Sequence, residues 1–546
     1  MKKYFAFLVT LCIIFAAGCS GSAGMSSSSA SHLGSTSNEQ AENSINYAAP
    51  AATAAGAPAA AAPGGNYNSS ALGSPDYSVP NSEQYLSINA NSFLDAAANP
   101  LLTFSLKVDT ASYRNVVRYI NSGSLPPVDA VRTEEFINYF KYDMPMPEPD
   151  GPFSLYTEVG RSLFDSSKYM AFIRVKSKDI DRENLAPSNL TFLIDTSGSM
   201  DSYDKLPLLQ SAFDLLTETL TENDTVSLVT YAGASTVLLD SVSGGSKPEI
   251  ENAINSLQAG GSTAGANGII TAYALAEKNF KPNGNNRVIL ATDGDFNVGV
   301  SSDSDLERLI SDKRDTGVYL SVLGVGMGNL KDDRMETLAK NGNGNYNYID
   351  SLSEAKKVLV DELSANLYTI ADDVKAQVEF NPALVSSYRL IGYENSEMPN
   401  QDFNNDQKDA GEIGVGTDVV LMFELTLENE NQGYKYQTPA PQPDNGPYSD
   451  ELFEVRIRYK DPGSSTSKLI TQPVKTDQIY NENSSDFCFA SAVAGFADIL
   501  RNSQYTGDLT INGVINQAEE NLGEDPDGYR REFVQIAQTY RRIAGY

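Results

Sequence analysis

The sequence predicts an α/β protein: a doubly wound, mostly parallel sheet inserted into a β-sandwich-like domain and followed by C-terminal helices. Three observations predict it. From about 189 to 366, short continuous apolar runs alternate with helical segments, as parallel strands covered on both faces do. On either side of that region the apolar residues alternate with polar ones, which marks half-buried antiparallel strands. After 490 the period becomes helical. With 546 residues, 41% apolar and 20% charged, the chain has the length and composition of a multi-domain globular protein.

Taken in order, 102–108 reads as a strand and 111–120 as a helix, and Gly123 to Pro127 turn the chain. A helix is expected over 130–140, stopped by Pro145, Pro147 and Pro149. Strands follow at 153–159 and 169–175. In the central region strands are expected at 190–195, 225–231, 236–242, 287–292, 318–325 and 346–349. Leu206, Leu209, Phe213, Leu216 and Leu220 mark one helical face; Ile269, Ala272, Ala276 and Phe280 mark another. Later strands are expected at 374–380, 388–393, 419–427, 453–459 and 468–474, in a layer that the strands before 189 join. Helices at 490–500, 511–520 and 529–543 complete the chain.

The N-terminus reads as an address and an anchor. Lys2 and Lys3 precede an uncharged apolar run, 5–17, too short to span about 30 Å of hydrocarbon. Ala16-Ala17-Gly18-Cys19 resembles a bacterial lipobox, which implies lipidation of Cys19 after cleavage and stable anchoring by two or three acyl chains. Ser20, rather than Asp, points to the outer membrane if the host has one, and otherwise to the outer face of the plasma membrane. Residues 20–81 are rich in Ser, Gly, Ala and Pro and are expected to form a disordered tether, on the order of 40 Å in reach. The expected division is 1–18 signal peptide, 19–82 tether, 83–188 N-terminal α+β region, 189–367 α/β domain, 368–480 β-rich domain and 481–546 helical region. Cys12 leaves with the signal, so Cys488 has no internal disulfide partner and reads as a small buried hydrophobe.

Lys and Arg number 40 against 71 Asp and Glu, a net charge of −31, which repels phosphate backbones and argues against a nucleic-acid partner. The single histidine, His32, lies in the low-complexity stretch. That argues against Ser-His-Asp, Cys-His and histidine–zinc chemistry. Oxygen ligands remain. Asp195-Thr196-Ser197-Gly198-Ser199 stands where the first parallel strand ends, and Gly260-Gly261-Ser262-Thr263 opens a helix. Thr292-Asp293-Gly294-Asp295 ends another strand. In a doubly wound sheet these ends share one rim, where ligands bind. Asp195, Ser197, Ser199, Thr263 and Asp293 then converge as two carboxylates and three hydroxyls. Hard oxygens of this kind suit Mg²⁺, with Mn²⁺ or Ca²⁺ as alternatives.

Taken singly, these residues are ordinary turn and cap residues. Together they resemble the metal-ion-dependent adhesion site (MIDAS) of von Willebrand factor A (VWA) domains. Val108-Asp109-Thr110-Ala111-Ser112-Tyr113, Glu134-Glu135-Phe136-Ile137-Asn138-Tyr139-Phe140, Ala291 to Gly299 and Tyr388 to Asn395 further resemble the bacterial YfbK-type VWA lipoproteins, from about 100 to the C-terminus. The resemblance implies metal-dependent protein binding, with an Asp or Glu side chain of the partner completing the ion's shell. Two other readings stand beside it. One is a metal-dependent hydrolase with Asp195 or Asp295 as base, against which the lack of a histidine or lysine near the motif counts. The other is a structural envelope scaffold without metal-dependent binding. A second acidic cluster, Asp402, Asn404, Asp406, Asp409 and Glu412, reads as a solvated loop or a calcium site, but lacks the EF-hand register.

Overall fold

Alternation along the strand at 188–195 organises the central domain. In this computed structural model, which describes residues 82–143, 151–262, 265–294, 303–408, 410–428 and 446–546, Phe192 faces one helical layer and Leu193 the other. The expected signal, Cys19 and the expected tether up to 81, together with Thr263, Asp295 and Asp409, lie outside the described residues.

The strands and helices of this domain are β5 (Ser188–Asp195), α3 (Leu206–Thr219), β6 (Thr225–Tyr231), β7 (Ser235–Ser243), α4 (Lys247–Asn255), α5 (Gly265–Lys278), β8 (Asn285–Thr292), α6 (Asp303–Arg314), β9 (Tyr319–Val325), α7 (Asp332–Asn341), β10 (Tyr346–Ile349), α8 (Leu352–Lys356) and α9 (Leu363–Leu367). The sheet order is β10-β9-β8-β5-β6-β7. All pairings are parallel except that of β7, which runs antiparallel to β6 at the edge. With no neighbour beyond it, β7 leaves Val237 and Leu238 exposed. Leu209, Phe213 and Leu216 of α3 cover Phe192 and Ile194; Ile269, Ala272 and Ala276 of α5 cover Leu193 and Val229. Phe280, expected on that second face, falls beyond the end of α5 and is 40% exposed.

Before this domain come β1 (Leu94–Asp95), β2 (Leu101–Ser105), α1 (Ala111–Asn121), α2 (Thr133–Ile137), β3 (Phe153–Arg161) and β4 (Tyr169–Ser177). After it come β11 (Thr369–Phe380), β12 (Val385–Ile391), β13 (Glu397–Met398), β14 (Gly411–Gly414), β15 (Asp418–Leu427), β16 (Glu451–Lys460) and β17 (Ser467–Lys475). The two sets interleave: one antiparallel sheet has the order β1-β12-β15-β4-β3 and the other β13-β2-β11-β16-β17, with β14 also paired to β11. Phe104, Ile173, Val378, Phe423 and Phe453 fill the space between them. Because β4 pairs with β15 and β2 with β11, the central domain is an insertion in this sandwich.

The helices α10 (Ser485–Leu500), α11 (Ile511–Glu520) and α12 (Tyr529–Ile543) share a core with α1 and α2, built on Tyr113, Phe136, Phe140, Phe489 and Phe533. Cys488 is a free, partly buried thiol against that core. The helix expected over 130–140 is instead a 3-10 turn, Val128–Ala130, and the short α2. Arg132 breaks it: its backbone is extended, its N–H is donated to Ser112 Oγ at 2.9 Å, and its guanidinium is buried against Asp332 of α7 at 2.5 Å. Among the described residues, no helix is long and apolar enough to cross a membrane.

Candidate metal centre

β5 delivers Asp195 to the carboxyl edge of the sheet, fully buried. The turn after it folds back at once, so the Ser197 N–H donates to Asp195 Oδ1 at 2.8 Å. With Gly198 starting a 3-10 turn, the Asp-x-Ser-x-Ser spacing puts the Ser197 and Ser199 hydroxyls 3.0 Å apart. The neighbouring strands orient the other carboxylate oxygen. Tyr231, the last residue of β6, donates to Asp195 Oδ2 at 3.1 Å, and Thr292, the last of β8, at 3.2 Å.

Asp293 follows β8 and is likewise fully buried. Its Oδ2 accepts from Lys205 Nζ at 2.9 Å and from the Asn329 amide at 3.0 Å. The Ser199 hydroxyl also bonds this carboxylate, so one serine links the Asp195 loop to Asp293. Gly294 turns the chain away at φ +95°, so close to the next loop that a Cβ there would meet Lys331 N at 2.5 Å. The loop before α5 is fastened to the same edge: Gly260 N–H donates to Thr196 O at 2.8 Å, and Gly198 N–H to Gly261 O at 3.1 Å. That brings the chain alongside the Asp195 loop two residues before Thr263, which lies outside the described residues.

The two acids have unlike environments. Burial raises the Asp195 carboxyl to about 6 against the pull of the Ser197 N–H and hydroxyl, and the nearby Asp293 charge adds to the rise. Burial also acts on Asp293, but the Asn329 amide, the Lys205 ammonium and the Ser199 hydroxyl outweigh it and hold that carboxyl below its usual value.

Of the expected site residues, Asp195, Ser197, Ser199 and Asp293 come together at one rim. The expectation that no lysine stands near the motif is wrong: Lys205, at the start of α3 and 6% exposed, reaches Asp293. Tyr231, Thr292 and Asn329 were also not anticipated. Tyr231 and Thr292 could have been found as the final residues of strands flanking β5. Asn329 belongs to a loop that a further segment braces. Ser82 and Gln84 pair with Gly328 and Leu330 (N–H to O, 2.9 and 3.0 Å), and Glu83 accepts from Gly328 N–H at 2.7 Å and from Arg118 at 2.8 Å. The Ser82–Gln84 segment therefore lies against the loop that holds Asp293.

Among the described residues, no set of three or more His, Cys, Asp or Glu side chains could hold a metal ion. A site at the rim accordingly depends on its hydroxyls. Two carboxylates with adjacent serine hydroxyls and no nitrogen or sulfur donor fit a hard divalent ion. The 402–412 loop does not fit one: Asp406 is taken up by Arg458 at 2.8 Å and Ser467 at 2.5 Å.

Comparison with known proteins agrees with this architecture. Residues 189–362 match the von Willebrand factor type A domain, 79–171 match a family described as von Willebrand factor, and 365–543 match the family described as "Uncharacterized protein YfbK, C-terminal". "Uncharacterized protein YfbK" of Escherichia coli (strain K12) is 44% identical over 451 residues, 80% of this chain and 78% of that one. The chain belongs to the YfbK family. The family's central VWA domain is thus the inserted α/β domain, and its C-terminal region takes in the later strands of the sandwich and the last three helices. "Uncharacterized protein sll0103" of Synechocystis sp. (strain ATCC 27184 / PCC 6803 / Kazusa) is 25% identical over 312 residues, 55% of this chain and 68% of that one. Among solved structures, von Willebrand factor type A from Catenulispora acidiphila aligns with a TM-score of 0.41 at 14% identity, over 72% of this chain and 91% of that one. The ArnB paralog VWA2 from Sulfolobus acidocaldarius aligns with a TM-score of 0.36 at 15% identity, over 72% and 98%.

Proposed function

We propose that this chain is a lipid-anchored cell-envelope binding protein. Its VWA domain holds Mg²⁺, or Mn²⁺ or Ca²⁺ in its place, through Asp195, Ser197, Ser199, Thr263 and Asp293, and it captures a protein partner by an Asp or Glu side chain. The observation that carries this reading is the single rim at which Asp195, Ser197, Ser199 and Asp293 are hydrogen-bonded into one cluster. A bound divalent ion supplies an electrophilic coordination position for a carboxylate from outside. The protein's part is to fix the donors: Tyr231, Thr292 and the Ser197 N–H aim Asp195, and Asn329 and Lys205 aim Asp293. The anchor is the lipidated Cys19, at the outer membrane, or at the outer face of the plasma membrane in a host without one.

Binding rather than hydrolysis is favoured because the lysine at the rim is already committed to Asp293 and Asn329 at 2.9 and 3.0 Å. Calorimetric titration of Mg²⁺ and Mn²⁺ into the full chain tests the reading. The wild type is expected to bind, and Ser197→Ala/Ser199→Ala to lose about 100-fold in affinity while its melting temperature in EDTA stays the same. Equal affinity in the double variant sinks the metal site. Capture of an envelope protein that persists unchanged in EDTA sinks the metal-dependent mechanism.

A further inference from the structure

Lys205 adds something that the five expected ligands do not. Its ammonium is fixed by two acceptors, Asp293 Oδ2 at 2.9 Å and Asn329 Oδ1 at 3.0 Å, and its side chain is 8% exposed. The stem is clamped as well. Gly326, at φ +78°, passes so near that a Cβ there would lie 2.2 Å from Lys205 Cε, and the backbone starts α3 with Lys205 N–H donated to Ser202 O at 3.0 Å. The side chain is fixed in place at the rim.

We infer that Lys205 is a built-in counter-cation of the metal site, which weakens its hold on the divalent ion and leaves the loaded site with a surplus positive charge for a partner's carboxylate. The argument is a charge count and rests on the reading given under Proposed function. Among the described residues of the cluster, Asp195 and Asp293 carry two negative charges, which a divalent ion merely cancels. With the ammonium in place the same ion leaves one positive charge. In a chain of net charge −31, that local surplus is what lets an acidic group approach the rim over the last few ångströms, within the screening length of about 8 Å. An ammonium serves better here than a guanidinium. It is a compact point charge that takes one oxygen of Asp293, whereas a planar fork would claim both.

The test compares wild type, Lys205→Met, Lys205→Gln and Lys205→Arg in the full chain. Mg²⁺ and Mn²⁺ affinities are measured by calorimetry, and acetate is titrated onto the Mn²⁺-loaded protein with water-proton relaxation as readout. Removal of the charge in Lys205→Met and Lys205→Gln is expected to tighten both ions by about tenfold and to weaken acetate by a similar factor. Lys205→Arg keeps the charge, so acetate binding is expected to stay near wild type, while both ions weaken because its fork takes both oxygens of Asp293. Lys205→Gln keeps an amide donor for Asp293, so it separates charge from positioning and carries the test if Lys205→Met does not fold. A wild type that binds neither ion overturns the function reading and this inference with it. A wild type that binds, with Lys205→Gln at equal or weaker ion affinity, overturns this inference alone.

Discussion

At the seam between α2 and α7, Arg132 faces Glu135, Asp332 and Glu336; at the rim of the central sheet, Lys205 faces Asp293, with Asp195 beside it. Both places bury carboxylates, and the difference lies in the cation. The guanidinium bonds both oxygens of Asp332 and both of Glu135, which ties the N-terminal region to the inserted domain. The ammonium reaches a single oxygen of Asp293, and the neighbours of Asp195 are a tyrosine, a threonine and the Ser197 turn. Seam and rim use the same residue types, yet one is a closed structural joint and the other keeps its charge in reserve.

The seam should break hardest. Arg132→Met leaves Asp332 and Glu135 buried without their counter-charge, and is expected to cost about 3–5 kcal/mol in urea unfolding. A cost below about 1 kcal/mol would mean that the seam is no structural joint. The rim comes next. Burial raises Asp195 from 3.8 to about 6, so in the metal-free chain its ionised form at pH 7 opposes folding. Asp195→Asn is expected to stabilise the metal-free protein by about 2 kcal/mol at pH 7. That advantage should shrink as pH falls through 6 and vanish below about 4, where the carboxyl is neutral in both the folded and unfolded chain. A difference independent of pH would mean that Asp195 is not strained by its burial. The 402–412 loop gives the smallest effect: Asp406→Asn loses a solvent-screened pair with Arg458, keeps an amide oxygen for the Ser467 hydroxyl, and is expected to change stability by less than about 0.5 kcal/mol in the same assay. A large loss there would show that exposed acids on this chain carry structural weight as well.

Much of the fold was legible because its signals are local. The strands at 225–231 and 346–349 and the helices at 511–520 and 529–543 appear with the boundaries that periodicity predicts. The one badly misjudged helix, 130–140, failed through a distant contact: Arg132 forgoes helical geometry to reach Asp332, two hundred residues away. Phe280 failed for a simpler reason, since the helical period was carried past the end of α5. At the rim, Asp195, Ser197, Ser199 and Asp293 were legible because each stands at or just past a strand end. Lys205 and Asn329 were not, because neither lies in a motif and each is recruited by a loop crossing that only the folded chain defines.

By itself, then, the sequence determined which stretches become strands and helices, that one sheet would be covered on both faces, and which oxygen-bearing residues would stand at its carboxyl edge. These follow from the period of apolar residues and the placement of turns, which act over a few residues. Tertiary structure alone decided how the buried charges are matched: a guanidinium at the seam, an ammonium at the rim, and the Ser82–Gln84 segment against the loop of Asn329. Burial makes each unmatched charge costly, and the partner that relieves it can come from anywhere along the chain.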